Sequence, residues 1–202
     1  MPPTPANRRL FRFRAAAILL GLSMAIPAAA QNGLTGKFAN IRIDNFGVVN
    51  AHYFRGAQPQ GRDYADLAAL GVKTVIDLTE DGSVNEPNLV QAQGMKFYRI
   101  PMTTHETPSS EKIAKFLSLV NDPASQPVYV HCQGGRHRTG VMTAVYRMTG
   151  EGWTADKAFS EMKQYKFGAD FLHPEFKSFV YAYHPDVKRG LATVVATQIP
   201  AN

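Results

Sequence analysis

The side chains of this sequence that are best suited to chemistry lie within one short segment. Cys132 is followed by two glycines and then by Arg138. A thiolate is a strong nucleophile, and a guanidinium can bind two oxygens of one phosphate group at once. Gly134 and Gly135 let the backbone curl so that successive N–H groups point towards an anion. Together these residues predict a site that binds a phosphate group and attacks it with Cys132.

The flanking segments are predicted to place this loop between a strand and a helix. Residues 128–130 form a short apolar run typical of a buried strand, and 141–148 show helical periodicity. A helix N-terminus offers unpaired N–H groups and a positive dipole end, which stabilise an anion and a thiolate. Strands alternate with helices along the chain, which predicts a single α/β domain with a mostly parallel central sheet flanked by helices. Ligand sites in such sheets lie at the carboxyl ends of strands, where Cys132 falls.

The segment from His131 to Gly140 resembles the signature loop of the cysteine-dependent phosphatases. The cysteine, five intervening residues, an arginine and a threonine follow that family's spacing. The pattern is most similar to the dual-specificity branch, and within it to the atypical plant and fungal enzymes linked to inositol pyrophosphates. The stretches at 45–59, 71–78 and 153–167 are also similar to that family. The resemblance implies the cysteine-phosphatase fold and hydrolysis of a phosphate monoester through a phosphocysteine, without a cofactor.

The resemblance also implies a role for each residue of the loop. Cys132 would form the phosphocysteine, and Arg138 would hold two phosphate oxygens. Thr139 would donate its hydroxyl to the Cys132 sulfur, and it could also cap the helix. His131 is expected to orient the loop by hydrogen bonding. The predicted substrate-binding residues, whose backbone N–H groups would face the phosphate, are Gln133, Gly134, Gly135, Arg136 and His137.

The general acid is where the sequence departs from the family pattern. The family's aspartate lies on the loop before the signature strand, and here that loop, 101–108, contains no aspartate. Glu106 is the predicted acid, and His105, Asp77 and Asp81 are alternatives. When a phosphoanhydride is hydrolysed, its phosphate leaving group departs without protonation far more readily than the phenolate of a tyrosine does. The missing aspartate therefore favours an inositol pyrophosphate or a similar anhydride as substrate.

Residues 1–30 have the features of an export signal. Their arginines precede an apolar stretch, 15–26, and a run of small residues before Gln31. The apolar stretch is too short for a permanent membrane span, so no stable membrane insertion is expected after cleavage; an uncleaved amphipathic anchor is the alternative. The pair Arg8 and Arg9 is also compatible with a twin-arginine signal. We expect an exported protein, periplasmic or secreted, by either route.

Composition limits the partners and the domain organisation. The first 30 residues carry four arginines and no acidic residue, so their removal lowers the net charge from +6 to +2. This small charge gives little support for nucleic-acid binding, and the predicted partners are phosphorylated proteins or inositol phosphates. The chain has one cysteine and dispersed histidines, which predicts no metal site. The predicted organisation is a signal peptide at 1–30, a lead-in at 31–44, a phosphatase domain at 45–184 and a tail at 185–202.

Other interpretations of the loop differ in what they require. A non-catalytic phosphate-binding module would explain the missing aspartate, but not the intact Cys132 and Arg138. A sulfur-transfer or arsenate-reducing enzyme would use a similar loop, yet reduction usually needs a second thiol, which the sequence lacks. A Walker nucleotide-binding loop would need a lysine and a serine or threonine after its last glycine, and none is present.

Overall fold

The computed structural model describes residue 36 and residues 38–185. The predicted export signal at 1–30 and the tail beyond residue 185 lie outside these described residues. The strands are β1 (Gly47–Asn50), β2 (Tyr53–Gly56), β3 (Thr74–Thr79), β4 (Lys96–Met102) and β5 (Val128–His131). The helices are α1 (Asp63–Ala69), α2 (Glu86–Gln91), α3 (Ser110–Asn121), α4 (His137–Gly150), α5 (Ala155–Gln164) and α6 (Pro174–Ala182), with a 3₁₀ turn at Asp170–Leu172. None of the helices described here combines the length and the apolar character that a membrane span requires.

The five strands form one mostly parallel sheet in the order β1-β2-β5-β3-β4. Only the β1–β2 pair is antiparallel; β2, β5, β3 and β4 run in the same direction. The central strand β5 ends at His131, which is paired with Gly56 on one side and with Asp77 on the other. The segment that follows β5 therefore emerges at the middle of the carboxyl edge. The prediction of a single α/β domain with a mostly parallel sheet is confirmed.

Helices cover both faces of the sheet, so the central strands are buried on both sides. Val75 and Tyr129 face one apolar cluster, which α1 and α2 complete. Ile76 and Val130 face the other, where Phe116 of α3 joins them and α4 also packs. This burial explains why β3 and β5 are nearly continuous apolar runs rather than alternating patterns. The signature segment thus leaves a strand that is fixed on both faces.

Three local details differ from the sequence-based expectations. The segment 48–55, predicted as one strand, is a hairpin, because the Asn50 side chain accepts a hydrogen bond (2.9 Å) from the His52 N–H and turns the chain. Helix α4 begins at His137 rather than at Val141, because the signature loop leads directly into its first turn. The predicted lead-in contributes to the packed domain, since Ile43 is buried in the core.

Candidate active site

The signature loop joins the end of the central strand to the start of the longest described helix. Cys132 directly follows β5 and is 3% exposed. Arg136 occupies the N-cap of α4, so the first-turn N–H groups of this helix face the loop. Arg138 and Thr139, both buried, lie in that first turn. The predicted strand, loop and helix are therefore present, and they bring the thiol, the guanidinium and the helix N-terminus together.

The carbonyl oxygens of the loop are held away from its interior by donors from elsewhere in the chain. The backbone N–H of Gln58 donates to the carbonyl of Gln133 (3.1 Å). The side chains of Asn45 and Arg55 each donate to the carbonyl of Gly135 at 2.8 Å. Because each peptide unit carries its N–H opposite its C=O, tying the carbonyls outward turns the N–H groups towards a bound anion. Nothing in the local sequence pattern indicates a role for these three donors, although they lie in the family-like stretch 45–59.

Two adjacent glycines in the loop have different structural requirements. Gly135 has φ +63°, and a Cβ there would lie 2.3 Å from the carbonyl carbon of Gly56. Both the backbone conformation and the close approach of β2 therefore demand glycine at this position. A Cβ on Gly134 would meet nothing nearer than 3.5 Å, at the Arg136 side chain. Glycine is therefore required at position 135, whereas position 134 has room for a methyl group.

The environment of the Cys132 thiol favours its ionised form. Burial acts first and would raise the pKa, but it is outweighed by hydrogen bonding from the Thr139 side chain and backbone and by the positive charge of Arg138, so the pKa lies below its ordinary value. The buried Thr139 hydroxyl makes no other hydrogen bond among the described residues. The role of Thr139 as a donor to the sulfur stays a prediction.

The guanidinium of Arg138 is held by residues at the ends of β4 and β3. It is 4% exposed, and its Nη1 donates to the carbonyl of Met102 at the end of β4 (3.1 Å). The same nitrogen lies 3.5 Å from Oδ1 of Asp81, whose side chain is 80% exposed. Asp81 follows β3 at the carboxyl edge of the sheet. It is therefore a carboxylate that the structure places directly beside the predicted phosphate-binding arginine.

Behind the loop, His131 is held between two buried carboxylates. Its Nε2 lies 3.0 Å from Oε1 of Glu86, and its Nδ1 lies 4.0 Å from Oδ1 of Asp77. Burial alone would lower the pKa of His131, but the Glu86 carboxylate, with Asp77, raises it above its ordinary value. Asp77 also accepts a 2.7 Å hydrogen bond from Arg99, so its carboxylate is engaged as an ion pair and is not placed to protonate a leaving group. Glu86 was not predicted as a site residue, because nothing in the sequence around it indicates that its side chain faces inward.

The predicted general acid, Glu106, lies on the exposed loop between β4 and α3. Its backbone N–H donates to Oγ1 of Thr103 (3.0 Å). Among the described residues, none donates a hydrogen bond to its carboxylate. The structure therefore brings Cys132, Arg138 and Thr139 together but does not join Glu106 to them through a direct contact.

Three histidines that are far apart in the sequence meet beside the loop. The ring of His173 lies 5.5 Å from that of His105 and 3.8 Å from that of His137, measured between centroids. His137 also contacts the carbonyl of Phe167 through Nε2 (2.9 Å), and burial, with the nearby His173, lowers its pKa. His137 thus packs against the loop before α6. The expectation that the histidines are dispersed was wrong for these three, because their contacts are not local in the sequence.

Several known proteins that are similar to this chain are phosphatases, in agreement with the geometry of the signature loop. Residues 43–177 match a protein-family model described as "DSP-PTPase phosphatase fused to NAD+ Kinase". The dual specificity protein phosphatase TpbA of Pseudomonas aeruginosa is 30% identical over 154 residues, which are 75% of this chain and 69% of that protein. Inositol diphosphatase SIW14 of Saccharomyces cerevisiae is 28% identical over 130 residues, 61% of this chain and 46% of that protein. The chain thus spans less than half the length of this yeast relative.

The fold agrees with the same assignment. The crystal structure of the core catalytic domain of the PP-IP phosphatase SIW14 from S. cerevisiae aligns with a TM-score of 0.67, at 24% identity, over 78% of this chain and 96% of that one. The family match extends from the segment before β1 into α6 and includes the whole signature loop. The chain belongs to the dual-specificity branch of the cysteine-dependent protein tyrosine phosphatases.

Proposed function

We propose that this protein hydrolyses phosphate monoesters on phosphorylated proteins, with phosphotyrosine as the first substrate to test. One observation carries the proposal: the thiol of lowered pKa, Cys132, lies in a loop whose carbonyls are tied outward and whose arginine closes the same site. A module that only binds phosphate would not need a buried nucleophile of lowered pKa at the centre of the loop. The geometry therefore supports an enzyme over a binding module.

The chemistry follows in two steps. In the first step Sγ of Cys132 attacks phosphorus, the bond from phosphorus to the leaving oxygen breaks, and that oxygen takes up a proton. In the second step water attacks phosphorus, the P–S bond breaks, and inorganic phosphate and the thiolate are released. In both transition states the equatorial oxygens are held by the loop N–H groups and by Arg138. The Thr139 hydroxyl stabilises the thiolate as it departs.

A second candidate substrate is an inositol pyrophosphate, and the setting of Glu106 favours it. The leaving group of a phosphoanhydride is a good one, so its hydrolysis does not depend on a well-placed acid. The acid loop 101–108 lacks an aspartate, and its one glutamate is exposed. The yeast relative is named an inositol diphosphatase. A panel of phosphotyrosine peptide, phosphoserine peptide, phytate and an inositol pyrophosphate separates the substrate classes by kcat/KM.

Substitution of the nucleophile tests the covalent mechanism. Cys132→Ser is expected to abolish turnover and to retain phosphate binding, because the N–H groups and Arg138 remain; Arg138→Ala is expected to lose both. Steady-state kinetics and calorimetric titration with inorganic phosphate measure the two properties. Arg62→Ala, at an exposed arginine, is the control and should match wild type. If Cys132→Ser keeps more than about a hundredth of the activity, the phosphocysteine mechanism is wrong.

The lowered pKa of Cys132 can be measured directly. The rate of iodoacetamide alkylation follows the thiolate, so its midpoint on a pH scale is expected to lie below that of the same cysteine in unfolded protein. Thr139→Val removes the hydroxyl donor and is expected to move the midpoint to higher pH, which reduces the thiolate fraction at neutral pH. Thr149→Val, near the other end of α4, is the matched control. An unchanged midpoint in Thr139→Val would show that this hydroxyl does not stabilise the thiolate.

Leaving-group dependence tests the general acid. If Glu106 protonates the leaving oxygen, Glu106→Gln slows hydrolysis of phosphotyrosine by about 10² or more and scarcely affects para-nitrophenyl phosphate, whose leaving group departs unaided. Asp81→Asn is the comparison, since Asp81 already contacts Arg138. A selective loss in Asp81→Asn alone would assign the acid to Asp81. Equal rates for both variants and wild type would mean that neither carboxylate acts, and the inositol pyrophosphate would then be the favoured substrate.

We also propose that the protein is exported, on the strength of the arginines, the apolar stretch and the small residues in 1–30. The exported form is expected to begin at or near Gln31. Intact-mass spectrometry of protein from the periplasmic and extracellular fractions measures the N-terminus. Recovery of only the full-length mass, or of the protein only in the cytoplasm, would contradict this proposal.

A further inference from the structure

A second cluster of chemically active side chains lies beside the signature loop, and the proposed reaction does not use it. Nδ1 of His105 and Nδ1 of His173 lie 3.6 and 3.4 Å from the same oxygen, Oε1 of Glu175. One ligand atom from each of these three side chains lies within 4.8 Å of the other two. Bonds of about 2.0–2.2 Å to one tetrahedral metal ion place its donors roughly 3.3–3.6 Å apart. The two separations between a histidine and Glu175 therefore match those of a tetrahedral metal site, and the separation between the two histidine ligand atoms is within 4.8 Å.

The donor types select the class of ion. Two imidazoles and a carboxylate are the protein ligands of several zinc sites, in which water or another ligand takes the fourth position. Ca²⁺ and Mg²⁺ prefer sites made of oxygen atoms only, which two imidazoles do not provide. The Glu175 carboxylate would also repel a phosphate group, so the cluster is better suited to a cation than to an anion.

The three side chains also combine rigidity with access. The side chains of His173 and Glu175, at the start of α6, are 14% and 25% exposed, whereas that of His105 is 72% exposed. Two ligands are thus held by packing, and the third can rotate to meet an ion that enters from solvent. His173 packs against His137 of the signature segment, so the cluster lies next to the active site.

We propose that His105, His173 and Glu175 bind one divalent transition-metal ion of the Zn²⁺ type. His105 belongs to the loop between β4 and α3, and the other two ligands belong to the start of α6. A bound ion would therefore fix this loop, which also carries Glu106, against α6 beside the signature segment. The proposal does not depend on the hydrolytic mechanism, because metal binding is measured without substrate.

The test uses Cys132→Ser protein, so that the catalytic thiolate cannot act as a zinc ligand. Calorimetric titration with Zn²⁺ is expected to show one ion per chain. Adding His105→Gln or Glu175→Gln is expected to weaken binding by more than the roughly 10- to 100-fold that loss of an outer-shell partner costs. His52→Gln, at an exposed histidine in the β1–β2 turn, is the matched control and should bind as the parent does. His105 is mostly exposed, so its substitution leaves the fold intact and isolates the loss of a ligand.

Cobalt provides a second readout. Co²⁺ added to the Cys132→Ser protein is expected to give the intense visible absorption of a four-coordinate ion, and this absorption should be lost in the His105→Gln variant. Failure of the Cys132→Ser protein to bind Zn²⁺ would overturn the proposal. Binding that survives both His105→Gln and Glu175→Gln would also overturn it, because the ligands would then lie elsewhere.

Discussion

The orientation of the carbonyl groups of Gln133 and Gly135 is the constraint on which the rest of this site depends. If the peptide units of residues 133–135 were reversed, oxygen atoms would face the phosphate and repel it. Asn45, Arg55 and Gln58 prevent this by donating to the outer side of the loop. Asn45 directly precedes β1, Arg55 lies in β2 and Gln58 follows β2. Strand β1 pairs with β2, which in turn pairs with β5. The opening hairpin of the domain therefore determines which way the catalytic loop faces, although the catalytic side chains come from other elements.

The second constraint is the balance of buried charge behind the loop. The carboxylates of Asp77 and Glu86 face the Arg99 guanidinium and the His131 imidazole. Removing one member of such a group leaves an uncompensated buried charge, which costs more than the intact group contributes. Because His131 immediately precedes Cys132, these contacts also fix the position of the nucleophile. Burial would lower the pKa of His131, but the carboxylates of Glu86 and Asp77 raise it, and the same contacts hold the start of the loop in place.

The parts of the molecule that the sequence predicts correctly are those set by local pattern. A strand, a loop and a helix are predicted by the apolar run before Cys132, by the glycines and by the helical period after Thr139. All three signals are local in the sequence, and the structure contains all three elements. The contacts that the sequence did not predict join distant segments: Arg55 and Asn45 reach Gly135 across 80 and 90 residues. Such contacts leave no periodic trace in a single sequence. The hairpin in 48–55 was missed for a different reason: the turn depends on one hydrogen bond, which the backbone N–H of His52 donates to the Asn50 side chain.

The burial of Arg55 has a consequence for how salt affects the signature loop. Its side chain is fully buried, stacks on the Tyr165 ring with its guanidinium carbon 4.0 Å from the centroid, and donates to the signature loop. Dissolved ions screen exposed charges within about 10 Å at ordinary ionic strength, but they reach a buried charge much less. The contact between Arg55 and the Gly135 carbonyl is therefore little affected by dissolved salt. Changes in the salt content of the medium should therefore leave this support of the signature loop largely unchanged.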